Sequence, residues 1–308
     1  MELYFAPLEG ITTYTYRNLH AKFFGGCDRY YTPFINPSEN DKISMKNLRD
    51  IVPENNKIKN LCVQVLTGNA ESFKKFSTKV KELGYDEVNI NIGCPSGTVV
   101  HKGRGAGLLK DTYMMDKFLE GVFCEADLKV SVKTRTGYFS SDEAEEIVEI
   151  YNKYPISLLT VHPRAREEFY GGKPDMQVFS KICNMSKNPV CYNGDVNTKE
   201  DYEKIADEYK EIKGVMLGRG AISNPALFRQ IKGGKKLSSD ELKEFSHLLI
   251  DEYLKVLNSD LFTLQKLKEI WMYIMWQFPE EKKLLKAIKK SGKLSDFTNA
   301  IKALPELD

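Results

Sequence analysis

The alternation of short apolar segments with helical segments constrains the fold of this chain most strongly. Eight segments rich in Val, Ile and Tyr are predicted to be strands, at 3–6, 27–32, 61–66, 88–92, 129–134, 158–162, 190–193 and 215–218. Strands that alternate with helices are typical of a parallel sheet. Eight such units favour a (β/α)8 TIM barrel, an α/β fold in which the strands close into a ring. An open doubly wound sheet is the alternative.

Capping residues indicate where several helices begin. Asn69 precedes a predicted helix over 70–83, and Thr198 precedes one over 199–209. Ser140 and Glu143 form a capping-box pattern before another helix. The pair Asn224-Pro225 predicts a short helix that is capped at Asn224, with proline in its first turn.

The strand pattern stops after Gly233-Gly234, and helical spacing continues to the end of the chain. A capping box at Ser238 and Glu241 opens this part, and further helices are predicted at 264–278, 282–290 and 295–304. We therefore predict two domains, a TIM barrel over 1–234 and a small all-helical C-terminal domain over 235–308.

Composition narrows the class of protein. The 308 residues carry a formal charge of +2, so nucleic-acid binding would have to come from local clusters of charge. The six cysteines are dispersed without C-x-x-C spacing, which indicates reduced thiols and gives no sign of a metal site. MELYFAPLEG lacks the features of a signal peptide, and no segment approaches the roughly 20 apolar residues of a membrane span. We expect a cytoplasmic protein, without membrane association, that is a monomer.

Polar residues stand at the carboxyl ends of seven predicted strands. They are Glu9, Gln64, Asn91 with Cys94, Lys133 with Arg135, His162, Asn193 to Asp195, and Arg219. Taken singly, each has a structural explanation, such as a buried amide or an inert thiol. Because the carboxyl ends of barrel strands meet at one face, we expect these groups to form one active site.

The last two strand ends indicate a phosphate site. NGD at 193–195 and GRGA at 218–221 offer glycines whose backbone N–H groups can approach a phosphate, and Arg219 adds positive charge. The organic part of the ligand would then lie beside Lys133. A cation stabilises the anionic reduced form of a flavin, and Gln64 can pair with an amide-like ring edge, so FMN fits better than a sugar phosphate.

The motifs in combination resemble the tRNA-dihydrouridine synthase family. The cysteine-turn segment and the H-x-R-x-x-x-x-x-Y segment at 162–170 are the most specific of them. The resemblance covers residues 1–230 in the order of the family and extends to the helical tail. The segments that carry it are PLEG (7–10), VQVLTG (63–68), NINIGCPSGTVV (89–100), GRGAGLLKD (103–111), KTR (133–135), VHPRAREEFYGG (161–172), NGD and GRGA.

This resemblance implies an FMN-dependent enzyme that reduces the C5–C6 double bond of a uridine in tRNA, with NADPH as the electron source. Hydride would pass from flavin N5 to C6, and Cys94 would protonate C5 as a general acid held on a stiff turn. Asn91 would bind the uracil edge, and Arg135 and Arg164 would contact substrate or cofactor. The residues that match FMN-binding positions of the family are Pro7, Leu8, Glu9, Gln64, Lys133, His162, Asn193, Gly194, Asp195, Gly218 and Arg219.

Two basic segments are candidates for contacts with tRNA. The first is the run Lys282, Lys283, Lys286, Lys289, Lys290 and Lys293, with no acidic residue between them. Of these lysines, we predict that Lys286 and Lys290 contact tRNA. The second comprises Lys102 and Arg104, in the glycine-containing segment after Cys94. Phosphate contacts of this kind would offset the cost of extruding the target base from folded tRNA.

Three other functions explain part of the pattern. An FMN barrel enzyme acting on a free pyrimidine, of the dihydroorotate dehydrogenase type, would share the cofactor but leave the lysine-rich tail without a role. A tRNA-binding folding aid would have no use for Cys94. A lyase or aldolase of the phosphate-binding barrel type would use Lys133 as a Schiff base and would be colourless.

Several residues depart from the usual pattern of the family. Leu8 stands where methionine is usual, Asn89 where aspartate is common, and Pro163 and Ala165 replace glycine and threonine. None of them is a proposed catalytic group, so they affect the expected substrate preference more than the expected activity. The uridine position in tRNA is not readable from the chain.

Overall fold

The computed structural model describes residues 1–37, 43–124 and 126–307, and within these ranges eight parallel strands close a barrel. Each strand pairs with the next in the chain, and the eighth pairs with the first. The strands are β1 (Glu2–Phe5), β2 (Arg29–Tyr31), β3 (Leu61–Val65), β4 (Glu87–Ile92), β5 (Lys129–Gly137), β6 (Leu159–Ala165), β7 (Val190–Tyr192) and β8 (Gly214–Leu217). The predicted TIM barrel is confirmed, and the open doubly wound sheet is wrong.

Helices surround the barrel and continue as a tail. Around the barrel are α1 (Tyr14–Phe23), α2 (Met45–Arg49), α3 (Ala70–Glu82), α4 (Gly97–Val100), α5 (Thr112–Cys124), α6 (Ala144–Tyr151), α7 (Met176–Met185), α8 (Lys199–Glu208), α9 (Arg219–Ser223) and α10 (Leu227–Ile231). The tail consists of α11 (Ser239–Leu257), α12 (Asp260–Ile274), α13 (Lys282–Lys290) and α14 (Leu294–Lys302). Within the described ranges, none of these helices has both the length and the apolar character needed to cross a bilayer.

Most of the predicted caps are confirmed. The side chains of Asn69 and Thr198 accept hydrogen bonds from the N–H groups of the first turns of α3 and α8. Ser140 and Glu143 close a capping box before α6. The predicted cap at Asn224 is also present, because its Oδ1 accepts the N–H of Ala226 at 3.1 Å in the turn that leads into α10. That helix begins at Leu227, two residues later than predicted. A short helix that the sequence pattern does not predict, α9, begins at Arg219 directly after Gly218 and ends at Ser223.

The strands β5 and β6 are longer than the sequence pattern predicts. They run to Gly137 and Ala165, so that Arg135 and Arg164 lie within strands and not in the loops after them. Both arginine side chains are buried, at 2% and 0% exposure. Their charged ends are therefore held inside the protein beneath the carboxyl-terminal face of the barrel.

The helical tail packs onto the barrel through aromatic contacts. Phe245 on α11 lies edge-on to Tyr16 of α1 and to Phe24 just after that helix, with ring centroids 5.8 and 4.9 Å away. Trp271 on α12 is fully buried. The core of the barrel and that of the tail are therefore continuous. The division into domains at residue 235 stays a prediction, and Asp308, at its far end, lies outside the described residues.

Candidate active site

A cavity of about 520 Å³ opens at the carboxyl ends of the barrel strands. It lies where the sequence predicts an active site, since loops after several strands meet there. The predicted site residues that line it are Pro7, Leu8, Glu9, Asn91, Cys94, Lys133, Arg135, His162, Asn193, Gly194, Asp195, Gly218 and Arg219. Their individual roles stay predictions.

The remaining predicted site residues lie elsewhere. Gln64 and Arg164 are fully buried and are not part of the cavity wall. Arg104 bonds Asn36, and Lys102 is exposed. The glycine-containing segment around them is folded into helical turns, and Ala106 N–H donates to the carbonyl of Cys94 at 3.0 Å, so this segment braces the cysteine turn.

A chain of buried amides runs through the barrel interior to the cysteine turn. The Nδ2 of Asn91 donates to Gln64, whose Nε2 donates to Asn89, at 2.9 and 2.7 Å. Asn89 in turn donates to Ser131 at 2.9 Å. All donors point the same way, so each bond polarises the next. The chain fixes the orientation of Asn91 and leaves one of its amide hydrogens for a ligand.

Asn91 also holds the turn that carries Cys94. Its Oδ1 accepts the N–H groups of Gly93 and Cys94, at 3.0 and 2.8 Å. Cys94 is partly buried in the cavity wall, and burial raises the pKa of its thiol above the ordinary value despite the nearby Lys133 and Arg135. The thiol is therefore protonated at neutral pH, which is the state that a general acid requires.

Arg164 is a buried clamp beneath the cavity. Its guanidinium donates to the backbone carbonyls of Gly171 and Gly172 at 2.9 and 2.8 Å. It also donates to both carboxylate oxygens of Asp195, at 3.2 and 2.5 Å. These bonds, together with one to His162, occupy its donors. They tie the loop after β6 to the loop after β7, and an RNA contact by this side chain is not supported by the geometry.

The bond between Arg164 and His162 determines the tautomer of the histidine. The guanidinium NH1 lies 2.9 Å from His162 Nε2, and because arginine can only donate, Nε2 must be the acceptor. Burial, together with the charges of Arg135 and Lys133, holds the pKa of His162 well below its usual value. The ring is therefore neutral with its proton on Nδ1, which offers a single N–H donor.

Arg135 joins the cysteine turn to the loop after β6. Its Nε donates to Gly93 at 3.0 Å, and its two other nitrogens donate to the carbonyls of Ala165 and Phe169, at 2.9 and 2.6 Å. Phe169 has φ of 50°, a left-handed conformation that costs a non-glycine residue about 1–3 kcal/mol. That conformation presents its carbonyl to Arg135, so the strained turn and the arginine support each other.

Lys133 contributes an unpaired cation to the cavity wall. Burial lowers its pKa to about 8, with a further contribution from Arg135. In the described part of the chain, no hydrogen-bond or ion-pair partner is found for its Nζ, and none for Nδ1 of His162. An anionic, acceptor-rich ring would satisfy both donors, which is the chemistry of a flavin edge.

The loops after β7 and β8 supply the opposite end of the cavity. A Cβ at Gly194 would lie 2.0 Å from the hydroxyl of Tyr192, and one at Gly220 would lie 2.1 Å from the carbonyl of Val196. Asp195 bridges Arg164 and Arg219, which holds the pKa of its carboxyl below the usual value. The N–H groups that open α9 and the guanidinium of Arg219 suit a phosphate, so these residues fit FMN as a whole.

Sequence reasoning missed the aromatic part of the cavity. Phe34, Tyr170, Tyr273 and Trp276 all line it. Tyr170 belongs to a motif that the sequence analysis identified, although its ring received no role there. Tyr273 and Trp276 come from the helical tail, and the spacing of apolar residues in a helix does not show which of them face the barrel.

The lysines of α13 form a surface of their own. Leu284 and Ile288 are buried, whereas Lys282, Lys283, Lys286, Lys289 and Lys290 are exposed. Among the described residues, no acidic side chain forms an ion pair with these five ammonium groups. Lys286 and Lys290 therefore lie on an exposed cationic face, as an RNA contact would need.

A second cavity, of about 620 Å³, lies outside the barrel beside α1. Its charged lining is of mixed sign, with Lys22, Lys57 and Lys59 facing Asp28 and Glu252, and it contains none of the predicted site residues. Over the described ranges, no cluster of three or more His, Cys, Asp or Glu side chains is arranged to hold a metal ion.

The sequence of the chain matches one family over almost its whole length. The model of the family described as dihydrouridine synthase (Dus) matches residues 4–305. A probable tRNA-dihydrouridine synthase from Aquifex aeolicus is 30% identical over 258 residues, which cover 82% of this chain and 78% of that protein. The tRNA-dihydrouridine synthase B of Pseudomonas putida is 26% identical and covers 83% and 76%, respectively.

Solved structures with a similar fold are far more distant in sequence. A 2-naphthoyl-CoA reductase in complex with 2-naphthoyl-CoA superposes with a TM-score of 0.58 at 11% identity, over 76% of this chain and 50% of that one. Histamine dehydrogenase from Rhizobium sp. 4-9 gives a TM-score of 0.55 at 11% identity, over 82% and 48%. At this identity the likeness extends to the fold.

Proposed function

The chain belongs to the dihydrouridine synthase family, and we propose that it reduces the C5–C6 double bond of a uridine in tRNA to 5,6-dihydrouridine. The observation that carries this proposal is the placement of Cys94 in the same cavity as Lys133 and His162. A thiol that shares a cavity with two unpaired donors suits a uracil ring held between a proton donor and a flavin.

FMN is the cofactor that the cavity fits. Lys133 and the Nδ1–H of His162 would hold the acceptor edge of its ring, and Arg219 with the backbone at Gly194 and Gly218 would hold its phosphate. When bound, FMN would supply the hydride that adds to C6 of uracil, with NADPH as the source of its electrons. Gln64, which lies behind Asn91, would act by fixing that amide and not by reaching the ring.

Cys94 would complete the reduction by proton transfer. As the C5–C6 π bond breaks and C6 gains its hydrogen, the thiol would give its proton to C5 and would be left as a thiolate that regains a proton from solvent. The raised pKa keeps this proton on sulfur at neutral pH, so the rate of uridine reduction should fall only when the pH rises above the range in which an ordinary thiol titrates. Asn91 would hold the uracil edge through its remaining N–H.

The lysine face of α13 would bind the phosphates of the tRNA. Each phosphate that is neutralised releases counterions, so the affinity should fall with salt. Reversing both Lys286 and Lys290 to Glu should reduce the slope of log K against log salt by roughly 2 if each contacts one phosphate. Lys204→Glu with Lys210→Glu is the matched control, because these exposed lysines lie outside the tail, on and just after α8, and do not line the cavity.

The activity is tested by anaerobic mixing of the NADPH-reduced protein with unmodified tRNA. The oxidised flavin band should return rapidly, and it should not return with tRNA that is fully modified to dihydrouridine. Reoxidation by a free pyrimidine but by no tRNA would contradict the proposal in favour of a small-molecule oxidoreductase. A colourless protein that forms a Schiff base at Lys133 would favour the lyase instead.

The role of Cys94 is tested separately by Cys94→Ala. This variant should keep its flavin and its reduction by NADPH, but form dihydrouridine about 10²–10⁴-fold more slowly. Cys124→Ala is the control, since Cys124 is exposed at the end of α5 and away from the cavity. Undiminished product formation by Cys94→Ala would remove this residue as the acid, and would also leave a role as an RNA-binding folding aid open.

A further inference from the structure

Trp276 is an exposed aromatic residue at the mouth of the candidate active site. It lies in the turn Met275–Gln277 between α12 and α13, and 47% of its surface is exposed. Together with Tyr273 it lines the cavity, with the two ring centroids 5.4 Å apart and the planes at 60°. A tryptophan this exposed contributes little to the core, so its position calls for another explanation.

The turn around Trp276 is anchored on both sides. Met275 and Phe278 are buried, at 5% and 6% exposure. The side-chain amide of Gln277 donates to the hydroxyl of Ser223, at the end of α9, at 2.9 Å. The indole is therefore presented to the cavity from a fixed backbone that is bonded to the barrel.

The rim of the cavity also combines an aromatic ring with cations. Tyr170 is 56% exposed, and the guanidinium carbons of Arg219 and Arg135 lie 4.8 and 5.4 Å from its ring centroid. Aromatic faces with cations beside them are how proteins bind single-stranded nucleic acid, because every base has a face that can stack and every nucleotide has a phosphate.

The lysine face of α13 favours RNA over a dinucleotide as the ligand of this rim. Lys282 follows Trp276 by six residues, so the two lie at most about 22 Å apart. A ligand that contacts both must carry bases at one end and a series of phosphates along its length. A strand of tRNA has this form, whereas NADPH has few charges and would not extend along α13.

We propose that Trp276 and Tyr273 stack on an unpaired base of tRNA next to the uridine that enters the cavity. The proposal rests on the proposed function and adds a second base-binding site at the mouth. Stacking there would hold the neighbouring nucleotide while the target base is out of its own stack, and so offset part of the cost of extrusion.

The first test is intrinsic fluorescence, which does not depend on turnover. The chain has two tryptophans, and Trp271 is fully buried, so Trp276 is the one that a bound base can reach. Unmodified tRNA added to the holoenzyme should quench the emission, and Trp276→Phe should abolish most of that change. An equal quench in Trp276→Phe, or none in the wild type, would overturn the proposal.

The second test compares the two half-reactions. Trp276→Ala should lower kcat/KM for unmodified tRNA by roughly 10- to 100-fold, the range for the loss of one stacked base, and Trp276→Phe should restore most of it. Tyr113→Ala is the control, because Tyr113 is 68% exposed on α5 and away from the cavity. A loss of the same size in flavin reduction by NADPH would overturn the proposal and assign the rim to the dinucleotide.

Failure of the proposed function would look different. If the wild type forms no dihydrouridine, the kinetic comparison has no signal, and the fluorescence titration alone decides. Quenching by tRNA that depends on Trp276 would then support the stacking site even though the reaction is different.

Discussion

Replacing Arg164 by Met should destabilise the protein far more than replacing Arg219 by Met, although both arginines bond Asp195. The side chain of Arg164 is fully buried and donates to two carbonyls, a histidine and a carboxylate. The side chain of Arg219 is 31% exposed. Burial therefore distinguishes the two variants, while the common partner is unchanged.

The magnitude follows from what each variant leaves behind. Breaking a buried ion pair by removing one partner costs about 3–5 kcal/mol, since the remaining charged and polar groups stay buried without that partner. Asp195 is 32% exposed and keeps Arg219, so we expect a value near 3 kcal/mol for Arg164→Met. An exposed ion pair contributes at most about 1 kcal/mol, which is the value expected for Arg219→Met.

Thermal unfolding measures the difference. For 308 residues an unfolding entropy of about 2.1 cal/mol/K per residue makes each kcal/mol equal to about 1.5 °C in Tm, so Arg164→Met should lower Tm by about 5 °C and Arg219→Met by less than about 2 °C. Both should be measured without FMN and at saturating FMN, because a bound ligand stabilises the folded state. Equal shifts would refute the clamp. If Arg164→Met had a normal Tm but weaker, salt-sensitive binding of tRNA, Arg164 would instead be an RNA contact.

Three further perturbations test other parts of the structure. Lys133→Met should stabilise the flavin-free protein by about 2–3 kcal/mol at pH 7, since the pKa of about 8 marks a buried cation without a partner. In denaturant titrations at several pH values, this gain in unfolding free energy should shrink between pH 8 and 10.5. His20 is buried with a pKa of about 4, so the protein should lose stability as the pH falls below 6.5, by about 2 kcal/mol at pH 5. In the same titrations, the unfolding free energy of His20→Gln should fall less steeply with decreasing pH. Asn89→Leu interrupts the amide chain and should cost about 2–4 kcal/mol, whereas Ser131→Ala, at its end, should cost about 1 kcal/mol; equal losses in chemical unfolding would contradict a linear chain.

The barrel was predictable because its signals are local. Each signal depends on neighbouring residues only. The signals are the strand and helix periods, the breaks between segments, and caps such as Asn69 and Thr198. The carboxyl ends of parallel strands must share a face, so the position of Cys94, Lys133 and His162 in one cavity also follows from the strand order.

The helix after Asn224 was only partly predictable. The pair Asn-Pro indicates a cap, and the side chain of Asn224 does accept the N–H of Ala226, but α10 begins only at Leu227. The short helix α9, between Gly218 and Asn224, has no comparable signal in the sequence, because the N–H groups that bond the carbonyl of Gly218 are brought there by the folded backbone.

The sequence by itself determined the family, the eight-stranded barrel and which residue types meet at its carboxyl-terminal face, because these depend on periodicity and on strand direction. The tertiary structure alone decided what each group does there. Partners that are distant in the chain determine that Arg164 is held in place and that the proton of His162 is on Nδ1. They also determine that Trp276 reaches the cavity from the tail. Such contacts arise from packing between elements, and no local pattern of residues encodes them.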